Sequence, residues 1–299
     1  MRRFAWIQVL LQAHTSLAVL FRNPRTGTEC DRGEFIGTTF ALRSSHFERF
    51  LMFKKVIDTY RDGGWSALSD KVYYVYCYAI EAHVRPRVAM EETVIELNGV
   101  EVPVRRSSAD RYLPFYTPAV PITSDPAYEA DEIDAIRRYV EPGDHVVVVG
   151  GGLGVTTTVA AKAAGESGRV TVFEPSSTAL QICQGTVEHN EITDQVHIEQ
   201  ASIGAPQNSC FTYSPQEDMR RVPYSEMPDA DVYEMDCEGE ELPIIRNMTI
   251  RPRVMLVETH GNHDDVVAAL EAHGYRIDSV IDERGARGAD RTHIRAQRG

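Results

Sequence analysis

Four glycines stand close together in the middle of the chain, in Gly150-Gly151-Gly152-Leu153-Gly154. They follow the run Val146-Val147-Val148-Val149 and precede a helical pattern from Val155 to Ala164. Glycine lets a backbone bend sharply and lets a ligand approach where a Cβ would collide. A strand-to-helix turn of this kind fits a nucleotide-like ligand, but a tight packing turn can have the same composition. Glu174 is the second feature. It lies in Phe173-Glu174-Pro175, twenty residues past Gly154, at the expected carboxyl end of the next strand. A carboxylate there can accept two hydrogen bonds from ribose hydroxyls.

The spacing of the glycines separates two ligand classes. In the dinucleotide fingerprint G-x-G-x-x-G the third glycine lies three residues after the second, and here that position is Val155. Gly154 instead follows Gly152 by two. A G-x-G-x-G turn suits S-adenosylmethionine, which brings no pyrophosphate to a helix terminus. A nucleotide-dependent oxidoreductase remains the alternative within enzymes.

The elements that must hold these residues alternate regularly. A helix from Tyr128 to Val140, with Glu129, Asp131 and Glu132 in its first turn to suit the dipole, stops at Pro142-Gly143. Strands are expected at 145–149, 169–175, 196–201, 231–237, 253–260, 275–281 and 292–298, with helices at 155–164, 176–190 and 264–273. Repeated βαβ units imply a parallel sheet covered on both faces. The last two strands are joined by a short loop and can only pair antiparallel. The fold class is therefore α/β, Rossmann-like, with seven mostly parallel strands and an antiparallel last strand.

Upstream, Asn98-Gly99 between TVIEL and VEVPV predicts a type I′ hairpin over 93–104. Helices are expected at 46–60 and 66–83, and a Pro/Ser/Tyr-rich lid or linker at 107–126. The chain divides into an N-terminal extension (1–51), a helical lead-in with hairpin and lid (52–125), and a Rossmann-like domain (126–299). The hairpin and lid are expected to shape the acceptor pocket.

Read together, Tyr128-Glu129, Pro142-Gly143-Asp144, the glycine turn, Phe173-Glu174-Pro175, Asn190, Asp236-Cys237-Glu238-Gly239-Glu240-Glu241 and Val257-Glu258-Thr259-His260 resemble the FkbM family of class I methyltransferases over roughly 126–299. The most specific element is D-x-E-G-x-E at the end of the fourth strand. The resemblance implies S-adenosylmethionine as cofactor, held by Gly150, Gly152, Gly154 and Glu174. It also implies Ser202 near the adenine, Glu129 enclosing the cofactor, and methyl transfer to a sugar or small-molecule hydroxyl. Two positions depart from the family pattern. Val148 stands where an aspartate is usual, and Glu234 where a lysine is usual. These departures keep open a degenerate member that binds cofactor without turnover.

Methyl transfer from a sulfonium is an in-line displacement, so the protein must align acceptor, methyl carbon and sulfur. Asp236, at the carboxyl end of its strand, is the first candidate to orient or deprotonate the acceptor, and His260, with Glu258 behind it, is the second. Asp236, Glu238 and Glu241 have the chemistry of a Mg²⁺ donor set. Helix capping or solvent exposure accounts for Glu238 and Glu241 more simply, so no metal is assigned.

The bulk composition narrows the partners. With 31 Lys+Arg against 44 Asp+Glu the net charge is −13, and only Lys54, Lys55, Lys71 and Lys162 are lysines. An acid-rich, lysine-poor surface suits a salt-adapted cytoplasmic protein and argues against a nucleic-acid partner, leaving a small-molecule or glycan acceptor. Five dispersed cysteines without a C-x-x-C pair favour free thiols. Arg2-Arg3 precede an apolar run to Phe21, but Gln8, Gln12, His14 and Thr15 interrupt it, so stable membrane insertion is not expected. Residues 1–50 carry seven arginines and four acids, unlike the rest of the chain, and Met52 is a candidate start.

Overall fold

A computed structural model describes residues 90–107, 120–204, 220–237, 239–282 and 291–299. All of them fall in the second of the chain's two units, Tyr73–Gly299. The N-terminal extension, the two lead-in helices, most of the 107–126 loop and Glu238 lie outside the described residues.

The hairpin forms as its turn sequence dictates. Strands β1 (Glu91–Leu97) and β2 (Val100–Arg106) pair antiparallel, and Asn98 and Gly99 both take the positive φ of a type I′ turn, 47° and 81°. The Asn98 side-chain amide donates to the Tyr128 carbonyl at 3.0 Å, and Arg137 donates back to the Asn98 side chain and carbonyl. The hairpin tip is thereby tied to the start of α1 (Ala130–Tyr139).

From there the expected alternation appears. It runs β3 (His145–Val149), α2 (Val155–Ala164), β4 (Arg169–Phe173), α3 (Ser177–His189) and β5 (Val196–Glu199). It continues with β8 (Val232–Met235), α4 (Glu241–Asn247), β9 (Val254–His260), α5 (His263–Ala272), β10 (Arg276–Asp282) and β11 (Arg291–Gln297). A small parallel pair, β6 (Ala201–Ile203) with β7 (Arg220–Val222), stands apart from the main sheet. Neither this pair nor α4 was legible as an element. β6 follows β5 after one residue, and α4 is seven residues long with Pro243 inside it.

The seven-stranded sheet has the order β10-β11-β9-β8-β3-β4-β5, parallel except for β11, which is antiparallel to both neighbours. The chain winds from β3 out to β5, then crosses to β8 on the other side of β3. The strand order thus reverses between β3 and β8, which opens a crevice at their carboxyl ends. β3 is buried on both faces, as its run of valines requires.

Each face has its own core. Val146, Val148, Val232, Val254 and Leu256 pack under α1, α2, α3 and the hairpin. Val147, Val149, Tyr233, Met235, Met255 and Val257 pack under α4 and α5. The hairpin thus shares a core with the sheet and rests on α3, where the Asn190 side chain donates to the Glu101 carbonyl at 2.8 Å. Among the described residues no helix is long and apolar enough to cross a membrane, and Cys183 and Cys237 are free thiols.

Candidate functional site

The glycine turn sits at the mouth of the crevice. Gly150 has φ 103°, and a Cβ added there would collide with the Asp236 backbone carbonyl, so the turn and the end of β8 lie in direct contact. The contact is locked by the Asp236 amide, which donates to the Val149 carbonyl at 3.0 Å. Gly152 differs. Its φ is 48°, and a Cβ there would meet nothing within 4 Å, so it presents bare backbone to open space.

Glu174 braces this turn from the next strand. One carboxylate oxygen accepts from the Gly152 amide at 2.9 Å and the other from the Ser176 amide at 2.7 Å. The Ser176 hydroxyl in turn caps α3 by accepting from the Ala179 amide at 3.3 Å. Burial raises the Glu174 pKa, against the opposing effect of these backbone donors. Ser202 lies on β6, buried, and its hydroxyl has no hydrogen-bond partner among the described residues.

Asp236 and His260 meet at the carboxyl ends of β8 and β9. His260 Nε2 lies 3.8 Å from an Asp236 carboxylate oxygen and 3.2 Å from Glu258 Oε1, while its Nδ1 lies 3.6 Å from Glu241 Oε1. Burial would push His260 down, but hydrogen bonds to Glu241 and Glu258 and the Asp236 charge outweigh it and hold the imidazole up at about 10. This favours the protonated imidazole, a donor and counter-charge to the carboxylates around it. Glu241 opens α4 and accepts from the Cys237 and Gly239 amides at 3.2 and 3.0 Å, clasping the D-x-E-G-x-E loop.

A second layer of acids lies beneath α1. Glu129 immediately precedes α1 in a left-handed conformation, φ 44°. Burial, reinforced by the Glu258 charge, raises its pKa to about 7. It therefore belongs electrostatically with the Asp236–Glu258 cluster. Glu132, one turn on, shares a hydrogen bond with Glu258, and the proton resides on Glu132 because Glu258 also faces His260, Arg291 and His293. His293 is brought opposite Glu258 by the β11–β9 register, with Nδ1 3.5 Å from both Glu132 Oε1 and Glu258 Oε2. Arg291 donates to Glu258 Oε1 at 3.2 Å. Among the described residues, two groups of side chains stand close enough to share an ion, Asp236–Glu258–His260 and Glu132–Glu258–His293.

The two departures from the resembled pattern fall side by side, because Val148 and Glu234 are partners in the parallel β3–β8 register. An aspartate and a lysine at these positions would neutralise each other. Here one side is apolar, and Glu234 is a buried carboxyl whose pKa burial and its acidic neighbours raise well above the usual value.

No family model and no curated protein matches the chain. Solved structures do share its architecture. One is ribosomal protein L11 methylase from Lactobacillus delbrueckii subsp. bulgaricus, at TM-score 0.41 and 14% identity over 58% of this chain and 80% of that one. A second is P. horikoshii TYW2 in complex with MeSAdo, at TM-score 0.45 and 13% identity over 69% and 70%. A third is aTrm5 in complex with tRNALeu, at TM-score 0.47 and 12% identity over 70% and 53%. At such identities the likeness is one of sheet and helices. The expectation of a small-molecule or glycan acceptor with nucleic acid excluded finds no counterpart among these structures and is withdrawn. The similar structures named here include a tRNA complex and a ribosomal-protein methylase, and none is a glycan enzyme. Net charge was a poor guide because it averages the whole surface, whereas binding depends on the local field.

Proposed function

We propose that this chain is an S-adenosylmethionine-dependent methyltransferase. The observation that carries the reading is the glycine turn at the β3–β8 crevice, with bare backbone at Gly152 and the Glu174 carboxylate fixed directly behind it. The resemblance of the D-x-E-G-x-E strand end to the FkbM pattern supports the same reading.

The residues fit the cofactor by type. Gly150 and Gly154 shape the turn, Gly152 lets the ligand approach, and Glu174 keeps lone pairs for ribose hydroxyls beyond its two backbone donors. The buried, unpartnered Ser202 hydroxyl is assigned to the adenine end, and Glu129 to enclosing the cofactor. Bound there, the sulfonium supplies an electrophilic methyl group. Asp236, on the crevice side and more exposed than its neighbours, orients the acceptor and takes its proton. His260, held as an imidazolium, fixes the Asp236 carboxylate and offsets the charge of Glu241 and Glu258.

Isothermal titration of the full chain with S-adenosylmethionine, S-adenosylhomocysteine and NAD tests the cofactor assignment. Micromolar binding of the first two is expected, weakened about tenfold or more in E174Q, the loss of one charge-assisted hydrogen-bond acceptor. Tight NAD binding without an adenosylmethionine signal would sink the reading. Turnover is read as adenosylhomocysteine released against an acceptor panel that spans RNA and protein, and D236N should abolish it while leaving cofactor affinity within threefold.

A further inference from the structure

The acids beneath the first turn of α1 are too many for the cations beside them. Glu129, just before α1, Glu132 on it, Glu234 on β8 and Glu258 on β9 stand against His260 from β9 and Arg291 and His293 from β11. Glu132, Glu258 and His293 have side chains only 10%, 2% and 8% exposed. Buried carboxylates are costly unless paired, protonated or bound to a metal.

Glu234 supplies the independent observation. It is 2% exposed, its Oε2 has no hydrogen-bond partner, and it stands within electrostatic reach of Asp236, Glu129, Glu258 and Glu132. Its neighbour across the strand is Val148, which offers no donor. Glu234 Oε2 is thus a buried acceptor beside the cluster with nothing to accept.

We propose that Glu132, Glu258 and His293 bind one divalent first-row cation of the zinc type, with one position left open to solvent. Two ligands each about 2.0–2.2 Å from a tetrahedral ion stand about 3.4 Å apart. His293 Nδ1 lies 3.5 Å from Glu132 Oε1 and 3.5 Å from Glu258 Oε2. An imidazole among carboxylates selects a borderline metal over Mg²⁺ or Ca²⁺, which prefer all-oxygen sets. The neighbouring group, Asp236–Glu258–His260, is the poorer site. Its shared oxygen, Glu258 Oε1, already receives Arg291 and His260, which supply that half of the cluster with cations. The ion would tie α1, β9 and β11 together, and the assignment does not depend on methyl transfer.

The test uses the full chain, stripped with chelator and titrated with ZnCl₂, alongside cobalt(II) absorption. One equivalent is expected, with a raised Tm and a tetrahedral cobalt(II) band. E132Q and H293N should weaken zinc at least a hundredfold, while H260A stays within threefold. Circular dichroism establishes the fold of each variant, and the cobalt(II) spectrum of the unmutated chain needs no variant at all. Absence of stoichiometric zinc, an octahedral cobalt(II) spectrum, or loss of binding in H260A but not in H293N overturns the proposal.

Discussion

Gly150 and Gly152 sit two residues apart in one turn, yet a methyl group added to each would act differently. At Gly150 it meets the Asp236 carbonyl in a backbone conformation closed to L residues, so G150A should cost about 2–4 kcal/mol of stability, read by denaturant unfolding. At Gly152 there is room, and its φ of 48° costs only about 1 kcal/mol, so G152A should fold. It should nonetheless lose adenosylmethionine affinity, about tenfold or more, because the methyl occupies the space of the ligand. Glu129 gives a pH signature. Its folded pKa of about 7 lies above its ordinary 4.5, so the native state binds the extra proton. The resulting stability is full below about pH 4.5 and is lost as pH rises through about 7. E129Q keeps the neutral form, so its Tm relative to the unmutated chain should climb between about pH 5 and about pH 8. A flat difference would show that Glu129 is solvated. At this scale the sequence pointed to residues whose proposed chemistry follows from a local pattern, such as Gly152, Glu174 and Asp236. It hid Glu132 and His293, which are far apart along the chain and meet only through strand register and helix docking. Glu132 read as an ordinary helix-dipole acid, although Glu234, noted as a reversed charge, marked the same spot.

Among the elements, legibility followed length and burial. β3, α2 and α3 are long or continuously apolar and carry their own start and stop signals, so their bounds could be read within a residue or two. β6, β7 and α4 are three, three and seven residues long, too short for a period to register against neighbouring loops, and only tertiary contacts stabilise them. The hairpin was read from its turn dipeptide, but its destination was not. Its apolar face fills the core above α3, and Asn98 ties its tip to the segment leading into α1. N98A should therefore cost about 1–2 kcal/mol, from the lost amide bond and the strained φ together, and should loosen the approach to Glu129. Amide hydrogen exchange across 125–132 measures this, and unchanged protection there would separate the hairpin from the site.

Across the whole molecule the charge excess of −13 sets the response to salt. Screening of self-repulsion should raise Tm by several degrees between about 0.05 and about 1 M NaCl, and a fall over that range would show that attractive pairs dominate. The crossover from β5 back to β8 has a different consequence. It presses the turn at Gly150 onto the backbone of Asp236, so neither half of the crevice can shift alone. A molecule seated on the turn and one held by Asp236 would sense each other through this single point of touch, and linkage makes the effect equal in both directions. The order in which two substrates arrive would then be set by a carbonyl and a missing methyl group, neither of which takes part in any reaction.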